Sequence, residues 1–221
     1  AFVMSFQPVL PLTGLAGWQF LQRTAGQQQA LYAQSPVITR NTDAFRDRID
    51  TILTAEELVN DRQLLEVALG AFGLEDDIYA KAFVQQILES GVGDTEALAN
   101  RLSDPRYSQL ASTFGFADIG GPFTWKDGFA EDIIARYEAR QFQIAVGEQD
   151  NSMRLAMNAQ QALSDIVEAN ESSSARWFSI MGDTPLRTVF ETAMGFSSQM
   201  GAADVDVQLE QFSQRADALF G

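Results

Sequence analysis

Thr54-Ala-Glu-Glu57-Leu58-Val-Asn-Asp61-Arg-Gln-Leu64-Leu65-Glu-Val67-Ala68-Leu69-Gly70-Ala-Phe72-Gly73-Leu74 is the stretch on which the fold turns. Thr54 followed by Glu57 has capping-box spacing: the hydroxyl meets the N3 amide and the carboxylate reaches back to the cap. Leu58, Leu64, Leu65, Ala68, Leu69 and Phe72 then recur at helical spacing and keep one side apolar. Asp61 stands as a second N-cap, its carboxylate able to accept orphan amides and favoured by the positive end of the helix dipole. Gly73 follows the last turn as a left-handed C′ residue, and Leu74 then packs back on Leu69.

Working outward, the same pattern recurs. Asp104-Pro-Arg-Tyr107-Ser-Gln-Leu110 ends at Phe114-Gly115-Phe116, and Asp183-Thr-Pro-Leu186-Arg-Thr-Val189 ends at Met194-Gly195-Phe196. Ile87 with Ser90-Gly91-Val92 fits the same ending. An ancestral helix-pair repeat and a plain likeness among short capped helices both account for this. The irregular spacing favours the second, because a regular array keeps its period.

The rest of the chain is also helical in pattern. Leu15, Trp18, Leu21, Ala25 and Tyr32 line a face that ends near Ser35, before Pro36. Tyr79, Ala82, Phe83, Val84, Ile87 and Leu88 mark another helix, and Asp94 heads a short one through Leu98 and Leu102. Pro105 suits a first helical position, where a missing N–H costs nothing. Gly120-Gly121-Pro122 is the clearest break, and Thr124-Trp-Lys-Asp127 then resembles a capping-box start. Phe129, Ile133, Ile134, Tyr137, Phe142, Ala145 and Val146 give a long helix. Leu155, Ala159, Ala162, Leu163, Ile166 and Val167 give its partner across a turn at Gly147–Asn151. A polar loop at Asn170–Ser174 precedes the last helices, Trp177–Met181, Leu186–Met194 and Val207–Phe220. No run alternates with period 2. The expectation is an all-α globule of nine to eleven helices: an N-terminal segment with one helix (1–42), a helical region (43–120) and a C-terminal helical region (121–221). These form one continuous domain or two halves meeting near Gly120–Pro122.

Composition narrows the function. The 221 residues contain no Cys and no His. A disulfide frame, a thiolate zinc site, a Cys nucleophile, an imidazole base and the Ser-His pairing are therefore excluded. With 15 Lys+Arg against 30 Asp+Glu the net charge is −15, which opposes binding to nucleic acid or an anionic membrane surface. No stretch reaches the roughly 18 apolar residues of a membrane span. The start lacks a basic n-region and carries Pro8 and Pro11, so no cleaved signal peptide is expected. Ala1 suggests trimming or a true start at Met4. The expected location is the cytoplasm, or export without a cleaved signal. Charge is uneven: residues 1–42 hold Arg23 and Arg40, many Gln and no acid. Such a segment suits either a core helix or an element that orders on a partner.

No catalytic, cofactor-binding or metal-ligating residue is assigned. Glu75-Asp76-Asp77 and Asp204-Val-Asp206 lack the calcium-loop pattern and read as helix-start acids. Gly70-x-x-Gly73 is a helix end, without the Lys-Ser/Thr of a phosphate loop. Lys81 and Lys126 sit in ordinary amphipathic register, and Trp18, Trp125 and Trp177 read as core or docking anchors. Arg62 and Arg106 follow Asp61 and Asp104 and can form local ion pairs.

Asp61-Arg-Gln-Leu-Leu, Ala71-Phe-Gly-Leu-Glu-Asp76, Tyr79-Ala-Lys-Ala-Phe83, Ile87-Leu-Glu-Ser-Gly91, Ala99-Asn-Arg-Leu-Ser-Asp104 and Arg106-Tyr107 follow in order. Together they resemble the hallmark region of a bacterial, chiefly alphaproteobacterial, helical domain family without an assigned activity. Trp177 to Phe212 resembles the family's tail more loosely. Genes of this family often lie in or near flagellar gene clusters. The resemblance implies a non-enzymatic structural or assembly protein associated with the bacterial flagellum, acting through protein partners. A cytoplasmic helical adaptor or export chaperone is the alternative, and a carboxylate-based enzyme the remote one.

Overall fold

The structure, a computed structural model, describes residues 6–169 and 172–220, with the backbone alone at Ser198 and Phe220. Met4 lies outside the described residues, as does part of the polar loop expected over Asn170–Ser174. Among the described residues there are twelve α-helices, three short 3-10 turns and no strand, so the chain is all-α. The count rises because a helix forms over Pro36–Arg48, where no helix is expected, while Asp61 ends one helix and caps the next through the amides of Gln63 and Leu64 as its N-cap reading implies. The chain divides into two compact units, residues 6–102 with 106–151 and residues 103–105 with 152–220. Gly120-Gly121-Pro122 lies inside the first, and the division falls beside Asn151.

The first unit contains α1 (Gly14–Ala33), α2 (Pro36–Arg48), α3 (Ala55–Asn60), α4 (Arg62–Ala71), α5 (Lys81–Ser90), α6 (Leu98–Arg101), α7 (Pro105–Phe114) and α8 (Phe129–Gln149). The second α-helix thus begins already within the first 42 residues. At Thr54 the capping box forms in full and starts α3. Helix α4 is the axis of the unit: seven of its ten residues are buried, and it packs on α8, α2 and α3. Its broad apolar face is enclosed while Arg62 and Glu66 stay exposed. Burying Leu64, Leu65 and Leu69 fully contributes about 1.5–3 kcal/mol each.

Gly70 lets α8 come close to this axis. A Cβ there would stand 2.8 Å from Cδ2 of Tyr137, a fully buried α8 side chain. The Tyr137 hydroxyl is not orphaned, since Asn41 Nδ2 donates to it at 3.2 Å. Phe114 and Phe129 meet edge to face at 5.2 Å and tie α7 to the start of α8.

Three expected starts are corrected. Thr124 caps nothing: its hydroxyl donates to the Ile52 carbonyl at 2.7 Å, and α8 begins at Phe129 behind a left-handed Gly128. Tyr79 belongs to a 3-10 turn, Glu75–Tyr79, and α5 begins two residues later. Asp94 accepts from the Glu96 amide in a turn ahead of α6, whose own N-cap is Ala97.

The second unit contains α9 (Asn151–Glu168), α10 (Ser173–Gly182), α11 (Thr184–Met194) and α12 (Val205–Phe220). Only Asp150 separates α8 from α9, so no longer turn forms at 147–151. Ala159, Ala162, Leu163 and Ile166 of α9 pack with Trp177, Ile180, Leu186 and Phe190. Trp177 also faces Phe212, which is fully buried. Asp183 caps α11 through the Leu186 amide at 2.9 Å, and Gly195 ends it in the left-handed region at φ 70°. Arg215 donates to the Met194 carbonyl at 3.0 Å, satisfying a helix-end acceptor with a cation where the dipole favours one.

Candidate functional site

Two surface features of the first unit are built rather than incidental. The first is the segment ahead of α1. Residues 6–11 run without regular structure to Thr13, and two glutamines hold their backbone. Gln28 on α1 accepts from the Val9 amide at 2.7 Å and donates to the Val9 carbonyl at 3.1 Å. Gln149, the last residue of α8, donates to the Pro8 carbonyl at 2.7 Å. Pro8 is buried while Val9, Leu12 and Leu15 stay exposed, Leu15 at 72%. Phe6, Gln7 and Pro8 form one wall of a cleft of about 460 Å³, and Tyr32, Ile38 and Ala145 stand across it. The Ser35 hydroxyl, at the N-cap of α2, is buried without a hydrogen-bond partner and caps nothing. Burial, and then the Glu148 carboxylate, raise the Tyr32 phenol above its ordinary pKa.

The second feature is the connection from α7 to α8. Gly115 ends α7 at φ 62°, and the Phe123 amide donates back to the Phe114 carbonyl at 2.9 Å. Gly121 passes so close to Gly115 that a Cβ would overlap its carbonyl oxygen. Lys126 lies over the Phe123 ring, 3.5 Å from its centre. On this braced loop Ile119 is fully exposed and Trp125 is 58% exposed. Exposed large apolar side chains on a fixed backbone lose little conformational entropy on docking, which makes them good interface anchors.

The residues singled out from the sequence fall as follows. The acids at 75–77 open a 3-10 turn, where Tyr107 donates to Asp77 at 2.8 Å. Asp204 accepts from the Asp206 amide at the start of α12. No group of three or more acids among the described residues could hold a metal ion. Arg62 stacks over the exposed Tyr79 ring at 5.0 Å. Arg106 donates to the Gly73 carbonyl just past the end of α4. Trp18 is half-buried on α1, Trp177 lies in the second unit's core, and Trp125 is the exposed one of the three. Arg46 pairs with Glu131 at 2.7 Å and holds that carboxyl below its ordinary range. Glu138, one face along α8, is raised chiefly by burial. These groups do not converge on a shared cavity. The glutamine clasps escaped the sequence reading, because nothing in a Gln-rich run shows which amide meets the backbone.

The family model for a protein of unknown function, DUF1217, matches residues 71–219. No curated protein matches the chain. A protein of Agrobacterium tumefaciens, whose X-ray crystal structure was determined as a structural-genomics target, is similar in fold. Its TM-score is 0.76 at 26% identity, over 94% of this chain and 87% of that one.

Proposed function

Since the chain belongs to the DUF1217 family of proteins of unknown function, we propose that it is a non-enzymatic structural or assembly component associated with the bacterial flagellum. The sequence resemblance drawn from Asp61 to Tyr107 supports the flagellar setting. The observation that carries the binding role is the braced loop between α7 and α8, which offers Ile119 and Trp125 to solvent. A bacterial, His-free and Cys-free chain with such a loop suits protein–protein contact better than chemistry.

The test is a clean deletion in the native bacterium, complemented with the wild-type chain or with Trp125→Ala. The deletion should impair swimming or filament assembly, and the wild type should restore it. Trp125→Ala should fold normally yet fail to restore it. Normal swimming and normal filaments in the deletion strain would overturn the flagellar assignment. Fractionation then separates the two roles: an assembly component co-purifies with basal bodies or filaments, and an export chaperone stays in the cytoplasm.

A further inference from the structure

We propose that residues 6–13 are an exchangeable arm, and that the groove they occupy accepts the same segment from a second copy of this chain. The segment seated there now shows what the groove takes. Its recognition is mostly backbone recognition: the Gln28 amide reads both the N–H and the C=O of Val9, and Gln149 reads the carbonyl of Pro8. One side chain, Pro8, is buried. Every one of these contacts can be remade in trans by an identical segment, which is the condition for low-cost element exchange between protomers.

The arm is also lightly tethered. Leu12 and Thr13 are exposed, and the Thr13 side chain makes no capping hydrogen bond to α1. Gly14 follows at φ 62°, a conformation glycine adopts freely, and no atom lies within 4 Å of where its Cβ would be, so no packing pins this turn from that side. Beside Phe6, Gln7 and Pro8 a cleft of about 460 Å³ remains, so the arm gives up incomplete packing when it leaves. Charge permits the transfer. The body of each copy is strongly acidic, whereas the first carboxylate of the chain is Asp43, so the arm approaches a second copy without like-charge repulsion of its own.

The experiment uses the full chain with Phe6→p-benzoylphenylalanine, mixed with wild-type chain grown in heavy nitrogen, irradiated and mapped by mass spectrometry. The expected result is isotopically mixed cross-links from position 6 to residues 32–38 or 141–149, increasing as protein concentration is raised. Gln28→Ala, and independently Gln149→Ala, should lower those cross-links several-fold while circular dichroism remains helical. Cross-links confined to one copy at every concentration would overturn the proposal. So would mixed cross-links that map outside the groove, or yields that neither variant changes.

Discussion

Replacing Gly115 with Ala brings together two costs that can be measured apart. Gly115 closes α7 at φ 62°, where an L-residue loses about 1 kcal/mol relative to glycine. The added Cβ would also stand 2.4 Å from Cδ2 and Cε2 of Phe123. That ring has little room to retreat, since its own amide is bonded to the Phe114 carbonyl and it packs against the main core. Overpacking of this kind costs about 1–3 kcal/mol. The expected loss is therefore about 2–4 kcal/mol. Gly128→Ala supplies the control within the same unit: φ is 82° and nothing lies within 4 Å, so only the backbone cost of about 1 kcal/mol remains. Hydrogen exchange of the buried α4 amides reads the opening of this unit alone, which matters in a chain of two compact units. If Gly115→Ala and Gly128→Ala shift that opening equally, the steric reading of the α7–α8 loop is refuted.

The second unit has its own close approach: a Cβ on Gly182 would lie 2.1 Å from the Ser103 carbonyl oxygen, a backbone atom. Gly182→Ala should lower that unit's stability by about 2–4 kcal/mol in urea unfolding followed at Trp177, and an unchanged midpoint would contradict it. Glu138 is raised mainly by burial, so the folded state binds its proton more tightly than the unfolded chain. Its contribution is most favourable below the unfolded pKa and is lost as pH rises through the folded one. Glu138→Gln should therefore stabilise the chain at neutral pH and less so in mild acid, which paired melts at the two pH values would show. Removing residues 1–13 should leave the helical body folded. Removing 1–35 should cost about 3–6 kcal/mol, since it deletes fully buried Leu21 and the Tyr32 ring 6.0 Å from Phe142. A melting temperature within a few degrees of the full chain would show that α1 is not core.

Helices and their ends were legible because their signals are local. Thr54 with Glu57, Asp61 and Asp183 act within four residues of themselves, and the glycines at 73, 115 and 195 answer a backbone need at one position. What the sequence hides is the meeting of distant residues. Thr124 carries the same cap pattern as Thr54, but its hydroxyl is taken by Ile52, 72 residues earlier. Gly70 looks like part of a helix end, yet what governs it is the Tyr137 ring on α8. Gly115 and Gly195 read alike, while only the first faces an aromatic ring and the second has only Arg215 Nη2, at 3.9 Å. The surface features were hidden for the same reason: exposure of Trp125 and Ile119, and the pairing of Gln28 with Val9, exist only once the chain has folded.

The acid-free opening is neither wholly core nor wholly free. From α1 onward it is structural: Leu21, Ile38, Asn41 and Thr42 are buried, and α1 packs on α8. Ahead of Gly14 it is held through neutral amides. That choice matters in a chain of net charge −15. A carboxylate clasp would add like charge to an acidic body and weaken as pH falls, whereas Gln28 and Gln149 bind backbone groups equally at any pH between the carboxylate and lysine ranges. Salt then acts on one side of the balance only. It screens repulsion between two acidic bodies within a Debye length of about 8–10 Å at physiological strength, and it leaves the uncharged clasp nearly untouched. Higher ionic strength accordingly favours arms docked in trans over arms docked in cis, with the same hydrogen bonds in both states.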